Sequence, residues 1–313
     1  MDHDSNWVRT IGRPLLNGFW TIASSITNIR HINSMSIRIP KQLGKTFKPL
    51  INLHYEAEEW ESIWHFGKLG QSFLDIGANI GIMTVAMSRV AGLQGRVIAC
   101  EPNPRTYFGL ASTLRMNSCT NALPIQALIT NQCGAQKFFV SEVDDLGLRS
   151  SIVPSNLNAK AIVLPAITID ALFAENGPLH YIKIDAEGAE LRILSGAHDT
   201  LQQYHPVVQV EVHGQLMKEI GDSVEALFEM MKKLDYLCFN IPTWSEVDLT
   251  DFLNCTHCHV VDPIINKDLA YMGYGQVLFI PAERTDLIGT IVPRKCMICR
   301  IKPQFLDIGR SNK

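Results

Sequence analysis

Residues 73–81 read FLDIGANIG. An apolar run ending in Asp75, followed by Gly77 and Gly81, predicts a buried strand, a tight turn and the opening of a helix. Glycine lets the backbone approach a ligand closely, and the N-terminus of the next helix offers free N–H groups. A dinucleotide fingerprint would carry glycine where Asp75 stands, and no Gly-Lys-Ser/Thr follows to make a phosphate loop. A carboxylate here is poorly suited to a pyrophosphate and suits an amine or another cationic group. The plain alternative is a strand–helix turn that binds nothing.

The next apolar run is followed by a second carboxylate, in VIACEPNP at 97–104. Glu101 lies 26 residues after Asp75, where an acidic strand end can accept hydrogen bonds from ribose hydroxyls. An amino-acid end, a positive centre and a ribose together describe S-adenosylmethionine.

Outward from this pair, short Val- and Ile-rich runs begin near residues 123, 180, 206, 236 and 276, and helical patterns lie near 80–92, 104–117, 189–203 and 223–234. Such alternation predicts an α/β, doubly wound, mostly parallel sheet. The strands near 237 and 276 have no helix pattern between them and are expected to pair antiparallel. Residues 131–171 hold short alternating pieces, which suggest a β-hairpin excursion. Residues 1–71 form an N-terminal extension with MSIRIP as a strand and EAEEWESIWHF as a helix, 72–283 the main domain, and 284–313 a tail. The stretch RPLLNGFWTIASSITNIRH at 13–31 has apolar residues at helical spacing. It reads as an amphipathic helix docked on the main domain, with peripheral membrane contact as the alternative.

FLDIGANIG, EPNP, HYIKIDAEGAELRILSGA (180–197) and PVVQVEVHG (206–214) together resemble the FkbM-type methyltransferases over roughly residues 50–283. KIDAEGAE is the most specific element. The resemblance implies a class I methyltransferase (Rossmann-like) fold, with a seven-stranded sheet whose last strand is antiparallel. It implies S-adenosylmethionine as cofactor and O-methylation of a hydroxyl on a sugar, glycan or natural-product small molecule. By the same resemblance Asp75, Gly77, Asn79 and Gly81 would line the methionine end, Glu101 the ribose and Ala127 the adenine. Ala78 and Asn103, in the same two motifs, complete the expected cofactor set.

Asp185 and Glu187 follow the fourth run, and Glu211 and His213 end the fifth. In open α/β sheets ligands sit beyond the carboxyl ends of the strands, and strand alternation puts Glu211 and His213 on one face. Methyl transfer to oxygen needs in-line geometry and loss of the hydroxyl proton. Either His213 or Asp185 takes that proton directly, the favoured reading, or Asp185 and Glu211, with His213, hold a divalent cation that acidifies the hydroxyl. The plain alternative for Glu187 and Glu190 is that they cap and solvate the next helix.

The pairs Cys255/Cys258 and Cys296/Cys299 bracket the last core strand and match the spacing of a structural zinc site, but reduced thiols on an unstructured tail are the favoured reading. A haem reading of CTHCH would need an export signal that the chain does not display. Cys100, Cys119, Cys133 and Cys238 read as small core residues.

The chain is 46% hydrophobic and 19% charged with net charge -3, so disorder and a phosphate-tracking basic stripe are not expected and neither is a nucleic-acid partner. No uninterrupted apolar span reaches about 18 residues, which argues against a transmembrane helix. A cytoplasmic location follows as the default. A non-catalytic module using its cysteine-bearing C-terminal region for partner contact is the alternative to an enzyme. An N-methyltransferase would show an Asn/Asp-Pro-Pro-aromatic signature where DAEG stands.

Overall fold

The computed structural model describes residues 27–32, 35–40, 57–141, 152, 159–241, 244–254 and 274–291. Strands β1 (Thr27–Ile32) and β2 (Met35–Pro40) pair antiparallel. Met35, Ile37 and Ile39 are buried while Ser36 and Arg38 are exposed, the period-2 signature of a half-covered strand. Thr27–Ile32 thus ends as a strand the stretch expected to be helical; its earlier residues lie outside the described ones. Helix α1 (Ala57–Phe66) buries Trp60, Ile63 and Phe66. Burial of side chains this size contributes about 1.5–3 kcal/mol each.

The main unit then alternates as expected. It runs β3 (Ser72–Ile76), α2 (Ile82–Ala91), β4 (Arg96–Cys100), α3 (Pro104–Met116) and β5 (Ala122–Ile125). An excursion follows, with β6 (Leu128–Ile129), β7 (Gly134–Ser141) and β8 (Ala159–Ile167). The chain returns through α4 (Ile169–Phe173), β9 (Tyr181–Ile184), α5 (Glu190–Ser195), α6 (His198–Tyr204) and β10 (Val207–His213). It continues with α7 (Gly214–Glu219), α8 (Val224–Lys233), β11 (Tyr236–Asn240), β12 (Ser245–Glu246), α9 (Leu249–Asn254), β13 (Tyr274–Pro281) and α10 (Thr285–Ile288).

The central sheet has the order β12-β11-β13-β10-β9-β3-β4-β5. Strands β5, β4, β3, β9 and β10 are mutually parallel, and β13 runs antiparallel between β10 and β11. This is the class I methyltransferase sheet with one addition: an eighth strand, the two-residue β12, sits on the edge. The excursion is a separate three-stranded sheet in which β7 and β8 pair antiparallel.

Alternation along the parallel strands divides the core in two. Phe73, Val97, Tyr181 and Val207 face α1 and α2, and Leu74, Ile98, Ile182 and Val208 face the other layer.

Three local expectations change. The helix expected over 189–203 is two helices parted at Gly196, where the chain passes so close to Thr130 that a Cβ would lie 2.4 Å from its carbonyl oxygen. Helix α9 lies between β11 and β13, where none was expected. Cys133 is exposed beyond β6, whereas Cys100, Cys119 and Cys238 are buried as expected. Cys255, Cys258, Cys296 and Cys299 lie outside the described residues. Among the described residues no helix is long and apolar enough to cross a membrane.

Candidate active site

The glycine loop joins β3 to α2 at the carboxyl edge of the sheet. Gly77 N and Ala78 N donate to the Cys100 carbonyl at 3.0 and 3.1 Å, which ties the loop to the end of β4. Gly77 has φ +73°, and a Cβ there would lie 1.7 Å from the Asp185 carbonyl oxygen. No other residue type fits. Gly81, at φ +85°, precedes α2 and leaves that helix start without a side-chain cap.

Asn79 N donates to Glu101 Oε2 at 2.9 Å. Glu101 Oε1 accepts from Asn103 N at 2.9 Å and from Thr106 Oγ1 at 2.8 Å. A carboxylate has about four acceptor positions, so one remains on Oε2 beside the cleft. Burial lifts the Glu101 carboxyl to about 7, against these three hydrogen bonds, which pull it down.

A cleft of about 750 Å³, open space at its mouth included, runs along this edge. Gly77, Asn79, Glu101 and Asp185 form a polar arm, and Ala127, Leu128, Ile129, Phe138 and Ile152 form an apolar arm. The excursion sheet supplies much of that apolar wall, which the motifs alone did not reveal. An apolar slot beside a carboxylate with spare acceptor capacity fits an adenosine, so the residues present suit S-adenosylmethionine.

Of the residues expected to hold the cofactor, Gly77, Asn79, Glu101 and Ala127 line the cleft, whereas Asp75, Ala78, Gly81 and Asn103 are not among its lining residues. Asp75 is fully buried and accepts from Thr84 Oγ1 at 2.6 Å. Burial raises its pKa, opposed by the nearby Lys183 ammonium. Ala78 packs into the core on the α1 side, and Asn103 caps α3 by accepting from Arg105 N.

Beyond β9 and β10, Asp185, Glu187, Glu211 and His213 come together. His213 Nε2 stands 4.0 Å from Asp185 Oδ1, 3.8 Å from Glu187 Oε2 and 3.9 Å from Glu211 Oε1. Its Nδ1 is 2.8 Å from Glu190 Oε1, which also accepts from Gly188 N. Glu190, for which capping and solvation was the plain reading, is fully buried and orients the imidazole instead. The sequence held no periodic signal for this pairing, since it joins a helix start to a strand end.

Burial lowers the His213 pKa, but the Glu187, Glu190 and Glu211 carboxylates overcome it and lift the value well above 6.5. That shift favours the imidazolium form of His213. Burial raises Glu187 to about 8 and Glu211 to about 7, with the like charges around them adding and His213 opposing. Glu187 has φ +49°, as does Asn79. Two non-glycine residues in the left-handed region on one cleft mark a backbone held against its preference. Asp185, Glu211 and His213 offer ligand atoms all within 4.8 Å of one another, a spacing that could hold a cation.

Residues 75–238 match the Methyltransferase FkbM domain family. The hexuronic acid methyltransferase AglP of Haloferax volcanii is 27% identical over 165 residues, which cover 50% of this chain and 58% of AglP. The chain thus spans less than two thirds of that relative. The methyltransferase FkbM structure from Methylobacillus flagellatus is 14% identical, with a TM-score of 0.41, over 75% of this chain and 54% of that one. The M. jannaschii TYW2 structure in complex with AdoMet is also 14% identical, with a TM-score of 0.40, over 81% of this chain and 84% of that one. With more than half of its length matched by the family, the chain belongs to the FkbM methyltransferases.

Proposed function

We propose that this protein is an S-adenosylmethionine-dependent O-methyltransferase acting on a hydroxyl of a sugar, glycan or related small molecule. The observation that carries the reading is the group Asp185, Glu187, Glu211 and His213, gathered where the cofactor cleft ends. The partial similarity to a hexuronic acid methyltransferase supports a sugar acceptor. When bound, S-adenosylmethionine supplies a methyl group activated on a sulfonium. The protein has to orient the acceptor hydroxyl and receive its proton. Glu211, with its pKa near 7, is poised to accept a proton at neutral pH. His213, fixed by Glu190, holds positive charge beside the carboxylates and keeps them from repelling one another.

On this direct-base reading kcat rises with pH to a plateau above about pH 7, the value to which Glu211 is lifted. Glu211→Gln removes that rise and lowers kcat by about 10²-fold or more. The 4.8 Å spacing of Asp185, Glu211 and His213 favours a second reading, a divalent cation that acidifies the hydroxyl. A chelator separates the two: activity unchanged by EDTA supports the direct base, and loss restored by Mg²⁺ supports the cation. Methyl transfer to sugar and polyol acceptors tests both, and native protein that turns over none of them counts against the proposed substrate class.

Cofactor binding carries its own pH signature. A ribose hydroxyl donating to Glu101 favours the ionised carboxylate, so binding lowers its pKa from about 7. Affinity for S-adenosylhomocysteine is then full above that value and falls by up to about tenfold per pH unit below it. Titration calorimetry between about pH 5.5 and 8 shows the slope in the native protein, and Glu101→Gln flattens it. A flat native profile would remove Glu101 as the ribose acceptor.

A further inference from the structure

Lys183 is a buried ammonium set among carboxylates from three parts of the fold. Strand register places Asp75, Lys183 and Gln209 side by side on β3, β9 and β10. Helix α1 covers this face and brings Glu59 down onto it. Lys183 and Glu59 are each 3% exposed, and Asp75 and Gln209 are fully buried. Lys183 Nζ donates to Asp185 Oδ2 at 3.3 Å and lies 3.8 Å from Glu59 Oε2.

Gln209 holds Glu59 in turn, donating from Nε2 to Oε2 at 3.1 Å. Tyr181 donates to Gln209 Oε1 at 2.5 Å, and its hydroxyl lies 2.8 Å from Ser62 Oγ on α1. Glu59 and Ser62, one helical turn apart, thus clamp α1 to β9 and β10 through a single polar chain. Asp185 is divided between two partners: Oδ2 takes Lys183, and Oδ1 faces His213 Nε2 at 4.0 Å.

We propose, resting on the methyltransferase reading above, that Glu59 is a positioning residue for the active edge. It shares the charge of Lys183 so that Lys183 holds Asp185 by Oδ2 and leaves Oδ1 aimed at His213. A buried ammonium is strongly attracted to every carboxylate in reach. Without Glu59, Lys183 is drawn more strongly toward Asp75 and Asp185, and the Asp185 carboxylate turns inward from the cleft. Displacements of about 1 Å at such a group can cost about 10²-fold in rate. Helix α1 precedes the residues matched to the family, 75–238, so the N-terminal region becomes a working part of the site.

The test is Glu59→Gln, which keeps an acceptor for Gln209 and removes only the charge. The expected crystal structure of the variant shows the Asp185 Oδ1–His213 Nε2 separation widened by about 1 Å or more. With S-adenosylmethionine and glucuronic acid, kcat falls about tenfold or more, while the KM for S-adenosylmethionine stays within about twofold. In an Asp185→Asn background the same substitution costs nothing further, because its route is already cut. An unmoved Asp185 carboxylate, a native kcat, or an equal loss in the Asp185→Asn background would each overturn the proposal. If Glu59→Gln does not fold, Glu59→Gln with Lys183→Met removes both charges, and an unmoved Asp185 in that structure overturns it equally. The crystallographic comparison decides the positioning role whether or not an acceptor turns over. Failure of the methyltransferase reading shows separately, as native protein that does not bind S-adenosylhomocysteine.

Discussion

His213→Ala is expected to lower methyl transfer by about 10²-fold, through displacement of the carboxylates it holds, and to cost about 3–5 kcal/mol of stability. The imidazole is 3% exposed and is the common neighbour of Asp185, Glu187, Glu190 and Glu211. Removing it leaves four carboxylates facing one another, with Glu190 fully buried. Affinity for S-adenosylhomocysteine should stay within about threefold, because His213 is not among the residues lining the cleft.

The stability loss depends on pH. The folded pKa of His213 is raised above its unfolded value of 6.5, so its contribution is fully present below 6.5 and is lost as pH rises through the folded value. Urea unfolding should therefore show the full gap between native and variant at pH 6.5 and below and a narrower gap in alkali. A variant with native kcat would remove His213 from the chemistry, and an equal gap at every pH would remove its charge from the stability argument.

Gly77→Ala should be comparably damaging, by a different route. The position has φ +73°, which costs a non-glycine residue about 1–2 kcal/mol. The new Cβ would also lie 1.7 Å from the Asp185 carbonyl oxygen, a contact that only backbone movement relieves. Overpacking of this kind adds about 1–3 kcal/mol, so a total loss of about 2–5 kcal/mol is expected. That movement pushes apart the ends of β3 and β9, where Asp185 N donates to the Ile76 carbonyl at 3.0 Å. Loss of cofactor binding should accompany the loss of stability, measured by calorimetry with S-adenosylhomocysteine on whatever fraction stays folded. Native affinity and melting temperature in Gly77→Ala would contradict the close approach.

Much of this arrangement was legible before the structure. Alternation of the apolar runs beginning near 72, 96, 180 and 206 with helical patterns revealed the parallel sheet, because both faces of such a sheet are covered and its strands read as apolar runs. Gly77 and Glu101 were readable for local reasons: a positive φ needs glycine, and a carboxylate at a strand end faces the ligand edge. Asp75 was the instructive exception. Its place at the end of a strand suggested a ligand contact, but side-chain alternation turns it inward beside Lys183. Lys183 is itself a local signal of a buried ion pair, a cation inside an apolar run.

Strand–helix order, the glycine loop and the carboxylates at strand ends were all readable from the chain alone. Those features depend on backbone preference and short-range periodicity, which are written in neighbouring residues. Tertiary structure alone decided which carboxylates share a cation and which face the cleft. Glu59 meets Gln209 across 150 positions, and His213 meets Glu190 across 23. Such pairs form only when separate elements pack, and their charge states follow from the burial that packing imposes.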